Sequence, residues 1–142
     1  MSDIDLLDVS QEALFSALQP LENDAALADI VGSAVQVFVH IPQDTQPPMI
    51  VVGNMASEPA GGKYDLEQKI TVEVVCAYRG TDRAPLLALL SAVRRTLQNK
   101  SLTYPGVSFE TANWLGDEVG EAIADGKTYV GLSTYEFIAE PA

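Results

Sequence analysis

The sequence has a single cysteine, Cys76, a single histidine, His40, and no basic residue before Lys63. One cysteine forms no internal disulfide. One histidine and one cysteine cannot build a zinc site without carboxylates, and no ligand group has helical or knuckle spacing. No stretch approaches the roughly 18 uninterrupted apolar residues of a membrane span. The acidic opening Met1-Ser2-Asp3-Ile4-Asp5 is the reverse of the basic start of a secretory signal. These absences lead us to expect a protein made and kept in the cytoplasm, with no metal, no cofactor and no membrane partner.

The missing positive charge excludes more. The first 62 residues hold nine acids and no Lys or Arg, and the remainder carries eleven acids against eight bases, for a formal net charge of −12. Such a chain lacks the cationic footprint that gives proteins affinity for phosphate backbones. Its acidity serves solubility, or an acidic face that meets a basic partner, or a wall past which DNA moves without sticking.

Catalytic signatures are missing as well. No G-x-S-x-G elbow surrounds any serine, and His40 stands immediately before Ile41-Pro42. Cys76 falls inside an alternating apolar run, where a buried reduced thiol is the ordinary reading and a nucleophile paired with His40 the lesser one. Ala60-Gly61-Gly62-Lys63 looks like a phosphate cradle, but the spacing G-x-x-x-x-G-K-[ST] is not met and no helix follows. Asp117, Glu118, Glu121 and Asp125 lack the ligand pattern of an EF-hand loop and read as a solvated, Gly-rich connection. No enzymatic activity is expected.

What is present is a well-patterned core. At 142 residues with 47% hydrophobic and 20% charged content, the chain fits one ordinary globular domain. Residues 1–9 read as an acidic N-terminal arm and 10–142 as a single domain. Ser10 is positioned to cap a short helix to about Gln19, which Pro20 stops. Asn23 or Asp24 caps a second short helix closed by Gly32. A Val-rich strand from Ala34, the loop Pro42 to Pro48 and a short strand Met49 to Val52 follow. Gly53 to Gly62 reads as a flexible connection. The clearest strand alternates Ile70, Val72, Val74, Cys76 and Tyr78 with Thr71, Glu73, Val75, Ala77 and Arg79. Thr81 or Asp82 caps the main helix, whose Leu86, Leu90, Val93 and Leu97 form one stripe. A strand over Val107, Phe109 and Thr111, an acidic connection Leu115 to Lys127, and a last strand Thr128 to Ala139 complete the chain. The expected fold is α+β: a mostly antiparallel sheet with one long helix packed on one face and short N-terminal helices.

The order of these elements carries a likeness that no single motif does. Asn23-Asp24-Ala25-Ala26-Leu27 through Ile30-Val31-Gly32 is followed by a Val-rich strand, then a Pro-bearing loop into Met49-Ile50-Val51-Val52-Gly53. Further on come the alternating strand Ile70 to Tyr78, the Ala92-Val93-Arg94 to Leu97 helix segment, and a closing aromatic strand from Tyr129 to Phe137. Over about residues 10 to 139 this resembles the tail-completion (tail-terminator) proteins of long-tailed bacteriophages. Met49 stands where that family often has an aromatic.

The resemblance implies a structural role in the virion tail after assembly in the host cytoplasm. It implies a ring, usually of six copies, on the head-proximal end of the tail tube. That ring ends tube growth, offers a surface for the head, and lets DNA pass without specific binding. Its implied partners are further copies of itself, the tail tube protein and a head-completion or connector protein. Two exposed connections are the candidate interaction loops: Gly61, Gly62, Lys63 and Tyr64 in one, and Trp114, Leu115, Glu118 and Glu121 in the other. Trp114 is either a half-buried core edge or an interface anchor. The alternative function is a small acidic binding module, such as a DNA mimic that inhibits a nucleic-acid enzyme.

Overall fold

The computed structural model describes residues 5–61, 66–123 and 125–142. Three α-helices pack on one face of a six-stranded, mostly antiparallel sheet. The chain begins with α1, Leu6–Leu18, one turn earlier than expected. Asp5, not Ser10, is its N-cap: the Asp5 carboxylate accepts from the Leu7 and Asp8 amides at 3.1 and 3.2 Å. Leu6 and Val9, assigned to an arm on sequence, are buried in the core, and Ser10 is a buried interior residue of the helix. The helix therefore has 13 residues, close to the 14 of the main helix, so two helices of similar length replace the single long one expected.

A 3-10 helix over Gln19–Asn23 holds Pro20 in its first turn. Then α2, Ala25–Val31, is capped by Asp24, whose side chain accepts from the Leu27 amide at 3.0 Å. It ends at Gly32 with φ +86°, a left-handed C-cap that a side chain would strain.

The sheet comprises β1 (Gln36–Phe38), β2 (Met49–Pro59), β3 (Gln68–Arg79), β4 (Val107–Phe109), β5 (Asn113–Val119) and β6 (Thr128–Pro141), with α3 (Ala84–Leu97) between β3 and β4. Their order is β1-β2-β3-β6, after which β4 and β5 share the far edge of β6. Among the described residues, only the β1–β2 pair is parallel. Two stretches expected to be loops are strands. β2 continues to Pro59 through a bulge in which Gly53 and Asn54 stand opposite Glu73. The first half of the acidic connection is β5, bulged at Leu115 so that Trp114 faces Tyr135 while Gly116 faces Thr134. Gly116 has φ +146°, a conformation suited to glycine at such a bulge.

Periodicity explains the core. In β3, Ile70, Val72, Val74 and Cys76 all turn to the helices and are fully buried, as are Tyr135 and Phe137 of β6. α3 answers with Leu86, Leu89, Leu90, Val93 and Leu97. Each such side chain contributes about 1.5–3 kcal/mol on burial. The N-cap of α3 is Arg83, whose side chain makes no capping hydrogen bond, rather than Thr81 or Asp82; Asp82 accepts from the Ala84 amide at 2.9 Å.

Candidate interaction surface

The sheet face turned away from the helices carries a second apolar cluster at its β1–β2 end and an open hollow beside β5. Register across four strands aligns Phe38, Val51, Val75 and Leu132 in one row, and Met49, Ala77 and Val130 in the next. Met49, Val51 and Ala77 are buried within a second, smaller apolar cluster to which Phe38, Val75 and Val130 contribute. Toward the other end the same face turns polar. There Lys69 sits 2.9 Å from Glu58 and 3.9 Å from Glu136. The hydrogen bond to Glu58 and the two nearby carboxylates raise the Lys69 pKa. Exposed and screened by water, this triplet adds little stability.

Beside the apolar rows, the β5 bulge opens a hollow of about 390 Å³ lined by Glu73, Leu115, Gly116, Asp117, Glu118 and Leu132, with Thr134. Leu115 is 52% exposed at its rim. On the helix side, β5 is fixed by a polar chain. The Trp114 indole N–H donates to Asp117 Oδ1 at 2.9 Å, and the Ser133 hydroxyl donates to the same oxygen at 2.6 Å. The Ser133 and Tyr135 hydroxyls lie 2.8 Å apart. Since a serine has one hydroxyl proton, the Tyr135 O–H completes that contact. Burial pushes the Tyr135 phenol up to about 12, so it is a donor throughout the physiological range. Arg94 lies 4.5 Å above the Trp114 ring, a cation–π contact. Trp114 is thus half-buried and engaged on its helix-facing side.

The remaining candidate residues separate. Glu118 and Glu121 are exposed, Glu121 just past the end of β5. Gly61 is exposed just past β2, whereas Gly62, Lys63 and Tyr64 lie outside the described residues. Along β6, the Glu121 connection lies beyond the Gly131 end and the Gly61 connection beyond the Ala139 end. From Gly131 to Ala139 is about 26 Å at the usual strand rise. The two connections therefore sit at opposite ends of the sheet. Sequence reasoning missed the apolar rows between them. A signal existed: Met49 to Val52 is continuously apolar, as in strands covered on both faces.

The two residues weighed for nucleophilic chemistry are differently placed. Cys76 is completely buried on the helix side and His40 is exposed beyond β1. Among the described residues, no three His, Cys, Asp or Glu side chains group so as to hold a metal ion. Nor is any described helix long and apolar enough to cross a membrane.

A family profile described as tail completion protein gp17 matches residues 12–140. The chain belongs to that family. It is a tail completion protein, a structural component of the virion tail. Two solved structures are similar to it. The bacteriophage SPP1 gp17 protein is 26% identical over 96% of this chain and 95% of its own, with a TM-score of 0.57. A chain from the virion of a native gene transfer agent particle superimposes with a TM-score of 0.78 over 96% of this chain and 99% of its own, at 16% identity; that likeness concerns the fold. No curated protein sequence matches the chain.

Proposed function

We propose that this tail completion protein assembles as a ring, of six copies, on the head-proximal end of the tail tube. The ring ends tube growth and presents the surface that joins the head. The observation that carries this reading is that Gly61 and Glu121, one from each exposed connection, lie beyond opposite ends of the sheet, where β6 runs about 26 Å between Gly131 and Ala139. One subunit can then address two partners at once, the tube protein through one end and a head-completion or connector protein through the other. Glu118 and Glu121 belong to one of these ends and Gly61 to the other, while Trp114 lies between them, opposite Tyr135.

The acidic composition suits a ring around DNA. Nine acids and no base in the first 62 residues leave little to hold a phosphate backbone. DNA passes without specific binding, and tight binding of DNA by the purified protein at physiological salt would remove this element. The role is structural, with no catalytic step: alanine at both His40 and Cys76 leaves tail completion intact. Assembly takes place in the host cytoplasm.

Electron microscopy of the protein mixed with cognate tail tubes tests the whole. Rings seated on one end of each tube, with tube length no longer growing, are the expected result. Tubes that stay bare and continue to lengthen would sink the reading.

A further inference from the structure

Half of the basic residues of this protein gather in one stretch. Between Asp82 and Glu110 there is no acidic residue, while Arg83, Arg94, Arg95 and Lys100 all fall in that stretch. α3 occupies most of it. Its row directed away from the sheet is Ala84, Leu87, Ser91 and Arg95, with Leu87 48% exposed. The Arg95 guanidinium is steadied by Ser91 Oγ at 2.8 Å. Among the described residues, neither Arg95 nor Lys100 meets a carboxylate. On the other side of the domain, the hollow beside β5 offers the reverse combination. Glu73 and Glu118 have no cationic partner among the described residues. They rim a hollow walled by Leu115 and Leu132, next to the half-buried Val75 and Val130.

We infer that the occupant of this hollow is a second copy of this chain, presenting the outer face of α3. Leu87 enters the hollow against Leu132 and Leu115, and Arg95 and Lys100 meet Glu118 and Glu73. The inference rests on the ring reading and supplies the contact that reading leaves unnamed. Charge selects the arrangement. A two-fold contact that set α3 against α3, or the Glu73 and Glu118 rim against its copy, would press like charges together. Joining α3 of one copy to the hollow of the next makes a head-to-tail contact, and such contacts close into rings when the rotation allows.

A charge swap tests this with surface substitutions. One variant carries Arg95→Glu and Lys100→Glu, the other Glu73→Lys and Glu118→Lys. Oligomers are counted by native mass spectrometry and on tail tubes by electron microscopy, with thermal unfolding as the control for folding. Each variant alone is expected to assemble about tenfold or more weakly than wild type. An equimolar mixture recovers assembly, because alternating copies again set opposite charges face to face. A chain carrying all four substitutions assembles by itself. Arg95→Gln and Glu118→Gln give a smaller loss and serve where a reversal lowers the melting temperature. Two results overturn the inference: variants that assemble alone as well as wild type, or a mixture that fails to recover. Wild-type protein that forms no ring, free or on tubes, defeats the ring reading itself, a result distinct from the other two.

Discussion

Replacing Ser10 and Asp5 separately with alanine asks where the first helix begins. Both are residue types that cap helices, and the two possible starts predict opposite results. In the structure Asp5 accepts two amide protons of the first turn. Losing such a cap costs about 0.5–2 kcal/mol, typically about 1. Ser10 is fully buried inside α1, and its hydroxyl has no hydrogen-bond partner among the described residues. A buried unsatisfied hydroxyl costs about 1–3 kcal/mol, and alanine has the higher helix propensity. Lost packing around the deleted oxygen offsets part of that gain, leaving Ser10→Ala more stable by about 1 kcal/mol. The two variants are therefore separated by about 2 kcal/mol. At this chain length each kcal/mol moves the melting temperature by about 3–4 °C. Thermal and urea unfolding followed by circular dichroism, at one fixed protein concentration, reads the difference. A destabilised Ser10→Ala beside a neutral Asp5→Ala would refute the reasoning and restore Ser10 as the cap.

Three further outcomes follow from the packing. A Cβ at Gly53 would stand 2.8 Å from the Glu73 carbonyl oxygen, whereas one at Gly131 would meet first the movable tip of Leu90 at 2.9 Å. Gly53→Ala therefore destabilises by about 1–3 kcal/mol and Gly131→Ala by less, an order that urea unfolding checks. The Cys76 thiol is held far above its ordinary range, by burial first and by the Asp117 charge second. A thiol reagent is expected to label it only at the rate of unfolding, and fast labelling of the native protein would contradict the buried assignment. Asp125 accepts from the Thr128 hydroxyl at 2.6 Å and from the Lys127 and Thr128 amides at 2.8 Å, which lowers its pKa from 3.8 to about 2. A depressed carboxylate supports the fold above its unfolded pKa and loses that support as pH falls through the folded one. The turn before β6 thus loosens between about pH 4 and pH 2, and an NMR titration of Asp125 centred near 3.8 would count against it.

Local pattern determined much of this protein. The alternation from Ile70 to Tyr78, the stripe from Leu86 to Leu97, and the Asp24 and Gly32 caps could be read directly, because each depends on neighbours a few residues away. The α+β class and the family likeness followed from their order. Other features required partners distant in sequence. The segment from Asn113 to Val119 carries Gly116, Asp117 and Glu118, poor strand formers, and becomes a strand because β6 supplies its hydrogen bonds and Ser133 engages Asp117. The run after Gly53 extends as strand because β3 continues beside it. Helix α1 starts at Leu6 because the core receives Leu6 and Val9, which no capping rule states.

The interaction surface divides in the same way. Trp114, Leu115, Glu118 and Glu121 could be singled out from composition, but composition does not say that two connections lie at opposite ends of one sheet. Nor does it say that Phe38, Val51, Val75 and Leu132 form a single row. Each is one apolar residue in its own strand, and only the pairing register across β1, β2, β3 and β6 brings them onto one face. Sequence periodicity chose which side chains turn to the helices. The tertiary register decided what surface remained on the other side, because strand pairing is a contact between segments that local sequence cannot align.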